Sequence, residues 1–209
     1  HLGVPDETAM PHRRGFDHHY GFLSGFIDYY THTDTRRRQL DWMRNGEPVN
    51  EEGYSTDLLA DEAIRLVEGR DRAKPFFLYL PFGAAHSPLQ APEKVIAKYN
   101  DIADRDRRVY AAMVDAMDSA IGRVLKAVGK QDELDNTLVI YFNDNGGARA
   151  GADNGHLAKG KGSVYEGGIR VAAAMRWPGA IPAGKKSTQL MSVMDLFPTL
   201  IEAAGIERG

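Results

Sequence analysis

Between Asp104 and Val128, the residues Val109, Met113, Met117, Ile121, Val124 and Val128 recur at helical spacing, and two short apolar runs flank them, Phe76 to Phe82 and Thr137 to Phe142. Runs of that length read as buried strands, whereas the spaced set makes one face of an amphipathic helix. A strand, helix, strand order restricts the chain to an α/β class with a mostly parallel sheet flanked by helices on both faces. Ser55 or Thr56 is placed to cap a further helix running to about Gly69, with Leu58, Leu59, Ala63, Leu66 and Val67 on its inner face. Another strand is expected at Val171 to Trp177 and a last helix near Asp195 to Ala204. The methionines of the long helix read as core filler. Residues 1–53 are rich in Gly, Tyr, His and Arg with little periodicity, and read as an irregular segment of a length that usually serves function.

Directly after Thr137 to Phe142 come Asp144, Asn145, Gly146 and Gly147. The oxygens of Asp144 and Asn145 would therefore leave the strand at its carboxyl end, where open α/β sheets bind ligands. They are the hard donors that calcium and magnesium prefer. Read alone, the tetrapeptide is equally good turn chemistry. His86 follows the run Phe76 to Phe82 and so belongs on the same edge, and Lys161 stands between Gly160 and Gly162, whose small size allows close approach of a charged head to a ligand. Lys159 reads as a solvated surface lysine.

The chain has 209 residues, 43% of them hydrophobic, enough for one domain or most of one. With 29 acidic and 26 basic residues its formal net charge is −3, which gives no global basic field for nucleic acid or membrane lipid; anion recognition must be local. No apolar stretch approaches the roughly 20 residues of a membrane span. There is no cysteine, so no disulfide argument applies.

The motifs His1-Leu2-Gly3, Arg14-Gly15-Phe16-Asp17, Asp28-Tyr29-Tyr30, His86-Ser87-Pro88-Leu89, Asp144-Asn145-Gly146-Gly147 and Lys161 through Arg170, in this order and spacing, resemble the sulfatase family of the alkaline phosphatase superfamily. The resemblance is greatest to its arylsulfatase B, or N-acetylgalactosamine-4-sulfatase, type. It implies an alkaline-phosphatase-like fold, incomplete at both ends, in which 1–209 is the central and later part of a catalytic domain: 1–53 a substrate-side segment and 54–209 the α/β core. It implies hydrolysis of sulfate esters with calcium held by Asp144 and Asn145. Lys161 would bind sulfate oxygens, His86 would bind the ester and protonate the leaving alcohol, and His1 would hydrogen-bond the formylglycine nucleophile of the family.

That nucleophile arises from a Cys/Ser-x-Pro-x-Arg motif, which this sequence does not contain. The expectation is that these residues alone are inactive. The sequence also has His156-Leu157-Ala158-Lys159 where relatives commonly carry Pro-Leu-Arg-Gly, and Ala172 in place of a usual proline. Tyr165, Glu166 and Arg170 read as scaffold, with Glu166 and Arg170 able to pair. Arg36, Arg37 and Arg38 are either a solvated charge run or a contact for an anionic polysaccharide. The partner implied is a sulfated saccharide, with a phosphoryl ester hydrolase or a non-catalytic sulfated-glycan-binding fragment as alternatives. No Asn-x-Ser/Thr acceptor is present, which favours a periplasmic or secreted bacterial protein over a lysosomal one.

Overall fold

A computed structural model describes residues 7–130, 133–148 and 150–206. In chain order its regular elements are β1 (Tyr20–Gly21), β2 (Met43–Arg44), β3 (Glu47–Pro48), α1 (Ser55–Gly69), α2 (Glu93–Ile96), α3 (Arg105–Gly129), β4 (Val139–Phe142), α4 (Glu166–Ile169), β5 (Ala173–Arg176) and α5 (Leu196–Ala203). The α/β class is borne out.

Helix α3 begins where the Asp104 carboxylate accepts the N–H of Arg107 at 2.7 Å, a side-chain cap for one of the donors that a helix start leaves free. Its apolar face is buried from Val109 to Val128, with Met113 fully inside, as core filler should be. Small residues let α1 lie close along it: Ala60 and Ala63 meet Ala120 and Val124, and Val67 meets Ala127 and Val128. Each buried valine contributes about 1.5–3 kcal/mol relative to exposure. Arg123 of α3 adds ion pairs to Asp57, at 2.8 Å, and to Asp61 of α1. The start of α1 differs from expectation. Tyr54 occupies the N-cap position, while Ser55 and Thr56 lie buried within the first turn.

The early segment is more ordered than its composition indicates. β1, β2 and β3 form a small antiparallel sheet around Trp42, which is fully buried. The Trp42 indole N–H donates to Tyr20 Oη and Glu51 Oε2, both at 3.2 Å, and His32 stacks on the indole at 4.6 Å. Burial holds the His32 imidazole below its ordinary pKa. The Asp41 carboxylate accepts the N–H groups of Leu23 and Ser24 at 3.0 and 2.8 Å.

Two expectations about strands need correction. Phe76 to Phe82 forms no ladder among the described residues. It keeps the alternation of a strand, with Leu78, Leu80 and Phe82 packed toward α1 and α3 and Phe77 and Tyr79 exposed. The pairing of β4 with β5 is antiparallel, Val139 opposite Arg176 and Phe142 opposite Ala173, as is every strand pairing among the described residues. The cause is the 143–172 connection, which folds back on itself and returns the chain alongside β4 in reverse. α5 is the last regular element among the described residues and follows a capping box formed by Ser192 and Asp195.

Candidate functional site

Beyond Phe142 the ladder extends by one bond, Asn143 N–H to Ala172 O at 3.3 Å, and then the chain turns through Asp144 and Asn145 into two glycines. Gly146 donates to Gly168 O at 2.9 Å, and Gly147 donates to Asn154 Oδ1 at 3.0 Å. Lys161 donates its backbone N–H to Gly147 O at 3.0 Å, and Gly167 donates to Ala158 O at 2.8 Å. The Asn154 amide closes the loop by donating to Lys159 O at 3.1 Å. Main chain therefore packs on main chain. A Cβ on Gly146 would run into the Gly167 carbonyl, one on Gly167 into the carbonyls of Lys159 and Ala158, and one on Gly160 would lie 2.7 Å from Gly147 O. Only glycine allows this approach.

This interlock places Lys161 beside the Asp144–Asn145 turn. Gly147, Asn154, Gly160, Lys161 and Ser163 line a polar cavity of about 440 Å³, whose lining does not include Asp144 or Asn145. Lys161 is exposed and has no ion-pair partner among the described residues. The side chains of Asp144, exposed, and Asn145, half-buried, make no hydrogen bond among the described residues, so their oxygens are free for a hard cation. No group of three or more His, Asp or Glu able to hold a metal occurs among the described residues, and two donors alone do not fill a calcium coordination shell. Glu166 and Arg170 pair at 3.3 Å across α4. Lys159 is not simply solvated, since its ammonium lies 5.8 Å from the Tyr165 ring centroid.

His86 sits in the loop that follows Phe82. Its Nδ1 lies 2.8 Å from the carbonyl of Ser87; assigning the proton to Nδ1 satisfies that contact and leaves Nε2 for a ligand. The ring stacks on Phe26 at 4.8 Å and 12°. Tyr29 Oη donates to His86 O at 3.0 Å, and Tyr54 Oη donates to Gln90 O at 3.0 Å, so two buried phenols brace the loop. Burial raises both phenol pKa values, keeping them donors. Gln90 completes the brace by accepting the Tyr29 N–H at 2.9 Å and donating to Asp28 at 2.7 Å.

Lys161 is thus tied by a main-chain bond to Gly147, two residues beyond Asn145, whereas no bond joins Asp144, Asn145 or Lys161 to His86 among the described residues. Both groups instead rest on the first turns of α3. Val109, Ala112, Met113 and Ala116 pack against Ala84 and Ala85 beside His86, while Arg107 donates to Gly151 O at 2.7 Å in the glycine loop. His1 lies outside the described residues. Sequence reasoning missed Phe26, which carries His86; an aromatic within a Gly- and Tyr-rich segment was its sole signal.

A family model described as Sulfatase matches residues 1–206. Mouse "Arylsulfatase J" is 36% identical over 98% of this chain and 35% of its own length, and human "N-acetylgalactosamine-6-sulfatase" is 32% identical over 99% of this chain and 41% of its own. Among solved structures, "Ps i-CgsB in complex with k-i-k-neocarrahexaose" superposes with a TM-score of 0.90 at 37% identity, covering 97% of this chain and 49% of that one. The chain spans about a third to a half of the length of these relatives.

Proposed function

Because the chain belongs to the sulfatase family, we propose that it acts within a sulfuric ester hydrolase that cleaves sulfate from a sulfated saccharide with the help of a divalent cation. One observation carries the reading: the main-chain bond from Lys161 N–H to Gly147 O ties the residue that bears a free ammonium to the strand end that bears two free oxygen donors, so an anion-binding group and a cation-binding pair are held on one interlocked loop. In this reading the Lys161 ammonium binds sulfate oxygens and offsets the charge that develops as the S–O bond breaks. His86, its Nδ1 proton held by Ser87 O, presents Nε2 to the ester oxygen and, when protonated, gives a proton to the leaving alcohol. Asp144 and Asn145 would hold calcium, which supplies positive charge next to the anionic ester. His1 and a formylglycine partner remain implied by family resemblance, and these residues contain no Cys/Ser-x-Pro-x-Arg motif from which to make one.

The saccharide class is supported by the carrahexaose complex and by the N-acetylgalactosamine sulfatase relative. A periplasmic or secreted location agrees with such a polymeric substrate. No helix among the described residues is long and apolar enough to cross a membrane. The test compares 4-nitrophenyl sulfate with 4-nitrophenyl phosphate in the full-length protein, with calcium and with a chelator. Sulfate turnover that falls on chelation and with Asp144→Ala is expected. Preferred phosphate turnover overturns the reaction class, and cation affinity unchanged by Asp144→Ala overturns the metal assignment. Residues 1–209 expressed alone should hydrolyse neither ester.

A further inference from the structure

The guanidinium carbon of Arg36 lies 4.9 Å from the centroid of the Phe26 ring, the same ring on which His86 stacks. Arg36 stands in a turn whose form is set by Asp34: its carboxylate accepts the backbone N–H groups of Arg36 and Arg37, both at 2.8 Å, and its carbonyl accepts that of Arg38 at 2.8 Å. The bridges Ile27 to Asp34 and Thr33 to Leu40 tie this turn to the segment that carries Phe26. The Asp34 carboxylate is thus engaged with main-chain donors, and the exposed guanidinium of Arg36 has no carboxylate partner among the described residues. Arg37 and Arg38 keep the local field positive.

A guanidinium held against an aromatic face keeps its N–H edge directed outward, and that planar fork matches the oxygens of a sulfate or carboxylate. Phe26 fixes the spacing: Arg36 and His86 are separated by no more than two stacking distances, on the scale of neighbouring sugar residues in a chain. We propose that Arg36 is a specificity-determining residue that binds a second anionic group of the saccharide whose sulfate ester His86 serves. This rests on the sulfate ester hydrolase reading. A small aryl sulfate has no second anion and cannot use the contact, so Arg36 acts on selection between substrates. The competing account is that Arg36 only buttresses Phe26, and through it His86.

The experiment measures kcat and KM of the full-length protein and its Arg36→Ala and Arg36→Lys variants with 4-nitrophenyl sulfate and with a disulfated disaccharide. Arg36→Ala should lower kcat/KM for the disaccharide relative to the aryl ester by roughly 10- to 100-fold, the size of a charge-assisted hydrogen bond, through KM. Arg36→Lys should restore part of that ratio, since it keeps charge and loses the fork. Equal losses on both substrates would identify a buttress, and an unchanged ratio would remove Arg36 from recognition; either overturns the proposal. If the wild-type protein turns over neither ester, the hydrolase reading fails separately. Calorimetry with the disulfated disaccharide then decides: weaker binding to Arg36→Ala than to wild type upholds the anion site, and equal or absent binding overturns it.

Discussion

The backbone N–H of Lys161 lies 3.0 Å from the carbonyl oxygen of Gly147, so the lysine candidate for sulfate binding is anchored to the residue two places beyond Asn145. Its position is set by main chain, and disturbing the main chain should be more damaging than altering most side chains nearby.

Gly146→Ala tests this directly. Its methyl group would occupy the space of the Gly167 carbonyl oxygen and force the two loops apart. Displacement of about 1 Å at a catalytic group can cost ~100-fold in rate, so kcat/KM of the full-length protein should fall by at least that order. Far-UV circular dichroism should still report the α1 and α3 helices, whose contacts use other residues. Retained activity would show that the interlock is dispensable.

Lys161→Ala and His86→Ala should differ in their dependence on the leaving group. In the proposed function Lys161 would act on sulfate charge common to all substrates, so its loss should cost ~100-fold for both a nitrophenyl and a sugar sulfate. His86 as general acid matters most for the poorly leaving sugar alkoxide and little for a phenolate. Equal losses for His86→Ala on both substrates would reduce it to a sulfate ligand.

Glu62 predicts an acid limb to stability. A hydrogen bond from Arg65 at 2.7 Å, with Arg44 at 3.4 Å, outweighs burial and lowers the carboxyl from 4.5 to about 2. The folded pKa lies below the unfolded one. The stabilisation is therefore present above about pH 4.5 and is lost as pH falls toward 2. Urea midpoints at pH 7 and pH 3 should differ less in Glu62→Gln than in wild type, and an identical difference would rule out Glu62 as a source.

Along α3, burial should outweigh surface charge. Met113→Ala removes a fully buried side chain and should cost about 2–5 kcal/mol. Arg123→Ala breaks half-exposed ion pairs and should cost no more than about 1 kcal/mol. Urea unfolding of both variants checks the order.

What the sequence disclosed was whatever repeats at a fixed local period. Val109 through Val128 announced α3, Leu59 through Val67 announced α1, and the apolar runs located β4 and β5 to within two residues at each end. The order of the early segment was hidden because bonds of long sequence separation create it: Gln90 holds Tyr29 and Asp28 across about sixty residues, and Asp41 holds Leu23 and Ser24. Phe76 to Phe82 has the composition of a strand, yet a ladder depends on neighbours that composition does not specify. In the site, Lys161 could be grouped with Asp144 and Asn145 through their shared glycine-rich surroundings. The contact of Phe26 with both Arg36 and His86 left no local pattern, since each of the three residues is ordinary where it stands.

The glycine interlock described above separates two kinds of change open to this protein. Where carbonyl oxygens fill the room a methyl group would need, the loop carrying Lys161 is cast in backbone and is closed to gradual revision; every trial residue there meets the same wall. The Arg36 turn lies on the surface, and its guanidinium can be exchanged without entering any such contact. Under the proposed function, new preferences for the body of a substrate would therefore be tried at the rim one side chain at a time, while the grip on the group to be cleaved would stay inherited and fixed.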